Sequence, residues 1–462
     1  MRYLIVFFVF LVSVILSTST IAQTPSGQWT GRVDRAMRIN LTLDSTLKMD
    51  LPGIGVDIKV ADYKLTSDSL TANLVLTGGG KASLAGKFHE GYSMIKGEWR
   101  QEDVFRDFEL ISVNAFTPAP RDQLPLKIPF AYSQEDLSIY QAQQDFWLKG
   151  TLTIPHNDKD SIAAIFISGS GQQDRNSEIV GHKPFLVLAD HLATQGITVC
   201  RFDDRGVGES SGAFINATSE DFMYDVISVM DKLDSMGYKK ICLIGHSEGG
   251  MIANMISAFD SRVDAMVSLA GPAIPIEQLM LLQNKNILLD QGVESTEVDD
   301  YLEFLRKAYK LIDVETPRDS LYDPLKELCT DFYQSRDSTH QKMYGESDFS
   351  FYIANASSYL SPWLRYFINH KPDEFIEEIS CPVLALHGNM DIQVTSKENA
   401  AGYEKHLMES EAPFYDVITL DSINHLFQKV DHWNTYEYYE SPESFNKEVM
   451  VIISDWIKSS VF

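Results

Sequence analysis

Gly245-His246-Ser247-Glu248-Gly249 decides the reading of this chain. The apolar run Ile241-Cys242-Leu243-Ile244 precedes it, and Gly250-Met251-Ile252-Ala253-Asn254-Met255-Ile256 follows with the composition of a helix. A strand, a tight turn and a helix with serine at the apex form a nucleophile elbow. Such a turn lifts the Ser Oγ clear of the backbone, where a base can reach it. Gly245 and Gly249 fit this reading, because side chains there would clash in so tight a turn. The five-residue pattern alone is weak; its strand-turn-helix context makes it specific.

Two later segments supply partners. Cys381-Pro382-Val383-Leu384-Ala385-Leu386-His387-Gly388 reads as a buried strand, with Asn389-Met390-Asp391 in the loop after it. Tyr415-Asp416-Val417-Ile418-Thr419-Leu420 reads as another strand, followed by Asp421-Ser422-Ile423-Asn424-His425. Ser247, Asp391 and His425 thus stand in one of the known chain orders of a serine triad. His425 is expected to take the proton from Ser247, and Asp391 to hold the imidazole tautomer and offset its charge. Singly, an Asp after a strand is a turn former and a lone His a surface or core residue. Together, behind an elbow and in order, they point to acyl transfer. Asp421, close before His425, is expected to shape that turn.

Acyl transfer needs two N–H donors aimed at the developing oxyanion. One is expected to be the backbone N–H of Glu248. The other belongs on the loop after an earlier strand, here Ala163-Ala164-Ile165-Phe166-Ile167 running into Ser168-Gly169-Ser170-Gly171-Gln172-Gln173-Asp174-Arg175. Ser170 is the candidate by position, with Gly169 and Gly171 allowing close approach. A phosphate loop is the rival reading, but no Lys-Ser or Lys-Thr follows. Asp204 and Arg205, after the strand Ile197-Thr198-Val199-Cys200, are read as a turn and a buried ion pair rather than as catalytic groups.

These motifs carry a resemblance. Ser168 to Arg175 resembles an SGSG-x-QDR signature, and Arg201-Phe202-Asp203-Asp204-Arg205-Gly206-Val207-Gly208-Glu209-Ser210 resembles RFDDRGVG-x-S. Ala217-Thr218, Asp221-Phe222, the GHSEGG stretch and Asn424-His425-Leu426-Phe427-Gln428 follow in order. The set is similar to bacterial α/β-hydrolases of the serine aminopeptidase S33-like esterase group, over about residues 135–462. The resemblance implies an α/β fold with a doubly wound, mostly parallel sheet, and implies Ser247, Asp391 and His425 as nucleophile, acid and base. It does not fix the substrate, because the fold hosts many reactions. Ser168 is a departure, since many relatives place His there; the residue is expected to support the loop.

The chain has 462 residues and a formal charge of -26. That length implies two or more domains. The acidic balance argues against nucleic acid, which is bound by Lys and Arg neutralising phosphates. Residues 1–22 read as a signal peptide: Arg2, an apolar core from Leu4 to Leu16, then small residues permitting cleavage after Ala22. A retained anchor is the rival reading. No Cys follows that site, and no second apolar run spans a membrane, so a periplasmic or secreted protein without stable membrane insertion after processing is expected. Cys200, Cys242, Cys329 and Cys381 form no zinc pattern. Their spacing leaves a disulfide open.

Residues 23–117 carry short alternating strands and repeated Gly turns, as in Met37-Arg38-Ile39-Asn40-Leu41-Thr42-Leu43 and Leu70-Thr71-Ala72-Asn73-Leu74-Val75-Leu76. They predict a small β-barrel or sandwich that binds a ligand or docks on the rest. Pro118, Pro120, Pro125 and Pro129 mark a stiff linker over 118–134. An α/β-hydrolase domain is expected over 135–462. Helical periodicity in Ile276–Leu282 and Tyr301–Ala308 predicts a cap inserted at about 273–379, over the C-terminal ends of the strands. Trp363, Arg365 and Tyr366 are expected to line its pocket or form its core.

Three functions stay open: a secreted serine hydrolase cleaving small-molecule carboxylic esters, an S33-like aminopeptidase acting on short peptides, and a non-catalytic binding protein on a hydrolase fold. No metal or organic cofactor is implied, since a triad and backbone donors suffice for acyl transfer. Sequence leaves the oligomeric state open.

Overall fold

The computed structural model describes residues 27–112 and 121–461, except 34–36, 44–45, 52–55, 77–80, 90–91, 102–103, 125, 127, 157–161, 291–294, 313, 315, 336–358, 432–437 and 439–440. The signal-peptide reading and Pro118, Pro120 and Pro125 lie outside the described residues. Two compact units divide at Pro118/Ala119, the second comprising Ala119–Phe332 and Tyr352–Phe462.

In the first unit eight antiparallel strands close into a barrel: β1 (Gly27–Val33), β2 (Met37–Leu43), β3 (Leu47–Leu51), β4 (Val56–Leu65), β5 (Ser69–Leu76), β6 (Lys81–His89), β7 (Met94–Gln101) and β8 (Val104–Ser112). Closure comes from β1 pairing with β8, Gly31 opposite Leu110. Side chains alternate across a strand, so Ile39, Leu41 and Leu43 of β2 and Leu70, Ala72 and Leu74 of β5 are buried together. With Trp29, Trp99 and Phe108 they form one continuous apolar cluster.

The second unit is built on eight strands: β9 (Tyr132–Gln141), β10 (Phe146–Pro155), β11 (Ile162–Ile167), β12 (Thr198–Phe202), β13 (Lys240–His246), β14 (Val263–Leu269), β15 (Val383–Gly388) and β16 (Tyr415–Leu420). Their spatial order is β9-β10-β12-β11-β13-β14-β15-β16. From β12 to β16 every neighbour is parallel, while β9 and β10 add an antiparallel edge. Strands β11, β12 and β15 are buried at every residue, as in a sheet covered on both faces. The covering helices are α1 (Pro184–Thr194), α2 (Ser219–Ser235), α3 (Glu248–Phe259), α9 (Ser396–Leu407) and α10 (Lys447–Val461). The expected doubly wound sheet is the one observed. After β11 the chain goes first to β12 on one side and then to β13 on the other. Open α/β sheets bind ligands where the winding reverses, outside the strands' carboxyl ends.

The expected helical cap is present between β14 and β15: α4 (Ile276–Asp290), α5 (Ser295–Leu311), α6 (Arg318–Gln334), α7 (Pro362–Asn369) and α8 (Asp373–Ile376). Helix α5 buries Val298, Tyr301, Leu302, Leu305 and Ala308, a stripe with helical spacing. Arg365 donates to the carbonyls of Val314 at 3.0 Å and Thr316 at 2.5 Å, so it braces the cap internally. All four cysteines are buried free thiols. No helix among the described residues is long and apolar enough to cross a membrane.

Part of the Pro-rich segment is packed rather than merely stiff. Arg121 is buried and donates to the carbonyls of Ser441 at 2.6 Å and Val180 at 2.7 Å. Gln123 donates to the Phe445 carbonyl at 2.7 Å and accepts from the N–H groups of Ser444 and Phe445. Bonds of this kind contribute roughly 0.5–1.5 kcal/mol each. A chain beginning at Ala119 is therefore expected to unfold cooperatively, and one beginning at Leu124 to melt several degrees lower. Thermal unfolding followed by circular dichroism compares the two.

Candidate active site

Ser247 sits between β13 and α3 with φ 56° and ψ -121°. A non-glycine residue at positive φ is strained, and it persists only where its surroundings force it. The forcing groups are close. The Ser247 N–H donates to Leu269 O at 2.9 Å, and its carbonyl accepts from Gly250 N at 2.9 Å. A Cβ on Gly245 would lie 2.1 Å from the Gly249 carbonyl oxygen, and one on Gly249 would lie 2.2 Å from that of Ile167. Both glycines are obligatory for the reason expected from sequence.

Asp391 and His425 lie on the loops after β15 and β16 and meet there. His425 Nδ1 is 2.7 Å from Asp391 Oδ2. The other carboxylate oxygen accepts from the backbone N–H groups of Gln393 at 2.7 Å and Val394 at 2.9 Å. Both residues are buried, at 2% and 5% exposure. With Nδ1 engaged by the carboxylate, the imidazole presents Nε2 as its basic nitrogen. Asp421 accepts instead from Asn389 Nδ2 at 3.0 Å, away from the imidazole. His246, to which sequence reasoning gave no part, places a ring nitrogen 2.8 Å from the His425 carbonyl oxygen. Burial and the neighbouring His425 lower its pKa to about 3. A neutral ring at that distance donates from Nε2, and so holds the backbone of His425.

Ser170 and Glu248 belong to two segments in contact. A Cβ on Gly169 would come 3.1 Å from Ser247 Cβ, so the loop after β11 lies against the elbow. Two carboxylates fasten that loop. Asp204 accepts from Ser168 Oγ at 2.7 Å and from Gln173 N at 2.9 Å. Asp203 accepts from the Arg175 backbone N–H at 2.8 Å and pairs with its guanidinium at 2.6 Å. The two motif stretches, Ser168–Arg175 and Arg201–Ser210, are therefore halves of one clamp. Ser168 supports the loop as expected.

The expected ion pair between Asp204 and Arg205 is not formed. Arg205 turns the other way and makes a two-pronged pair with Asp225 of α2, both distances 2.7 Å, between the rings of Phe146 and Phe222. Neighbours at a strand exit point to opposite sides, which separates them. Trp363 of α7 reaches the elbow, donating from Nε1 to Glu248 Oε1 at 2.9 Å. Ser219 at the start of α2 donates to the same oxygen at 2.6 Å. A pocket with about 340 Å³ of empty space, solvent at its mouth included, opens beneath the loop, lined by Gly169, Asp204, Phe222, Asp225, Glu248 and Ile252 among others. Burial pushes the Asp204 carboxyl up to about 7, against the Ser168 and Gln173 bonds. Burial likewise pushes Asp225 up to about 6, despite Arg205, and raises Glu248.

Residues 165–412 match the family model described as alpha/beta hydrolase fold. The esterase EstD of Thermotoga maritima is 24% identical over 330 residues, covering 71% of this chain and 68% of that protein. Among solved structures, the esterase Pf2001 of Pyrococcus furiosus aligns with 14% identity and a TM-score of 0.44, over 72% of this chain and 94% of that one. A proline iminopeptidase of Mycobacterium smegmatis aligns with 16% identity and a TM-score of 0.42, over 71% and 99%.

The raised Asp204 carboxyl has a measurable consequence. In the unfolded chain it loses its proton near its ordinary 3.8, but in the folded chain it keeps it to about 7. Its favourable contribution is thus complete below 3.8 and is lost as pH rises through 7. Asp204→Asn lacks this loss. The melting temperature of the variant relative to the unsubstituted protein is expected to rise between pH 4 and pH 7.5 and then level off.

Proposed function

Since the chain belongs to the alpha/beta hydrolase family, we propose that it is a serine hydrolase that cleaves carboxylic esters through an acyl-enzyme. The observation that carries this reading is the 2.7 Å Asp391–His425 pair, set on the strand-end loops beside a strained Ser247 elbow. The esterase named above, similar over two thirds of its own length, supports the substrate class.

In this reading Ser247 Oγ attacks the ester carbonyl carbon while His425 Nε2 takes its proton. The carbonyl oxygen becomes an oxyanion held by the backbone N–H groups of Ser170 and Glu248. Collapse breaks the bond to the alkoxide, which leaves with the proton from His425. Water then attacks the acyl-enzyme with His425 again as base, and releases the acid and free Ser247. Asp391 fixes the tautomer and offsets the charge on the imidazolium. The cap contributes Trp363, whose Nε1 reaches Glu248 beside the nucleophile. The Met1–Ala22 pattern supports an exported, periplasmic or secreted enzyme.

A fluorophosphonate is the direct test, because it phosphonylates an activated serine and leaves an inert fold untouched. The unsubstituted protein should label, and a folded Ser247→Ala protein should not. Its kcat on a p-nitrophenyl ester should fall by about four to six orders of magnitude, as loss of a triad nucleophile does elsewhere. Absence of labelling in the unsubstituted protein would favour a binding protein on a hydrolase fold.

Esters should be preferred to amides. A phenolate or alkoxide departs readily, whereas an amine must be protonated as it leaves, which demands tighter positioning. Comparing kcat/KM for a p-nitrophenyl ester and a matched aminoacyl anilide settles the preference. A higher value for the anilide would replace the esterase reading with the aminopeptidase one.

A further inference from the structure

We propose that Trp363 and Glu248 form a positioning pair that transmits the placement of the helical cap to the oxyanion hole, with the Glu248 side chain acting as a neutral acid. The inference rests on the reading of the Glu248 backbone N–H as an oxyanion donor. Glu248 is the first residue of α3, directly after Ser247. Its side chain is 3% exposed. Oxygen Oε1 accepts from Ser219 Oγ of α2 and from Trp363 Nε1 of the cap. The hydroxyl of Ser170, the other candidate donor residue, approaches the same carboxyl. One side chain thus ties together the loop after β11, the start of α2 and the cap, and its own backbone carries the donor.

Burial raises the Glu248 carboxyl, against the bonds from Ser170, Ser219 and Trp363, and the arrangement of partners favours the neutral form. Oε1 has two donors, whereas Oε2 is buried with no partner in hydrogen-bond geometry. An unpaired anionic oxygen in that position would be costly. A neutral acid fits the same atoms: Oε1 is the carbonyl oxygen with both lone pairs used, and Oε2 carries the proton. No Lys, Arg or His among the described residues forms an ion pair with Glu248, and the carboxyl of Asp204 shares the pocket. Neutrality also serves the chemistry. A carboxylate beside the hole would repel the developing oxyanion, and a protonated one does not.

Four variants test the pair: Trp363→Phe, which removes the N–H and keeps a ring to stack on Phe367, Glu248→Gln, Glu248→Ala and Ser247→Ala. The readouts are kcat and KM on a p-nitrophenyl ester, and the Ki of a trifluoromethyl ketone, whose hemiketal adduct bears the oxyanion. Glu248→Gln keeps a neutral side chain of the same shape and is expected to lose several-fold less kcat than Glu248→Ala. Trp363→Phe should lower kcat about tenfold or more with KM within about twofold, and weaken the ketone in parallel, as loss of hole geometry does. Glu248→Ala should do the same; if it does not fold, the other two decide. Unchanged kcat and Ki in Trp363→Phe, or a raised KM alone, would overturn the coupling and make Trp363 a pocket wall. A Gln variant as impaired as Trp363→Phe would overturn the neutral acid. Full turnover in Ser247→Ala would instead remove the underlying reading of the site.

Discussion

The backbone at Ser247 is the constraint on which the rest of the molecule depends. Holding a serine at φ 56° costs on the order of 1–3 kcal/mol. The strain persists because the turn is braced on both sides. On one side β14 accepts the Ser247 N–H through Leu269 O. On the other, β11 presses its Ile167 carbonyl against Gly249. A strand at the sheet edge could not be braced this way. The position of β13 between β11 and β14 therefore holds the turn, and Ser247 follows β13 where the winding reverses.

Around that turn, carboxylates do the positioning. Asp203 and Asp204 leave β12 side by side and fasten two points of the loop after β11, one through Arg175 and one through Ser168 and Gln173. Arg205 is drawn away to Asp225. Buried ion pairs of this kind contribute little net stability, because desolvation offsets much of their attraction. What they contribute is a single geometry for a glycine-rich loop that has few side chains of its own to pack.

The legible parts of the sequence were those in which one local pattern implied one structure. The elbow, the two strand-end loops and the periodic α4 and α5 are of this kind. Strands β3, β4 and β8 are not legible in the sequence. In β4, Lys59, Asp62 and Lys64 stand among few inward positions, and the apolar alternation is diluted. The start of β9 at Tyr132 was missed because Gln134, Glu135 and Asp136 are exposed on an edge strand. Helix α6 carries Pro324 inside it, which reads as a break. Asp204 and Arg205 misled by adjacency: neighbours in sequence, they leave the strand toward different elements. Trp363 and Glu248 are 115 residues apart, and no spacing rule connects them. His246 is legible as part of the elbow, but its bond to the His425 carbonyl exists only once β13 and β16 share a sheet.

The same acid chemistry is put to opposite uses within one site. Asp391 meets three N–H groups, spread over both oxygens. That is a donor set for a carboxylate, as the proposed reaction requires of the group opposite a positive imidazolium. Glu248 Oε1 accepts from two donors, while Oε2 has no partner in hydrogen-bond geometry and the Ser170 hydroxyl approaches the carboxyl. In the proposed reading that set suits a carboxylic acid, placed where a negative charge would oppose the reaction. A chain of net charge -26 has acids to spare, so their number says nothing about role. The donors around each one do. Those donors come from α2, the cap and the loops after β11 and β15, so the electrostatics of the site is set by how the sheet and its insertion are assembled.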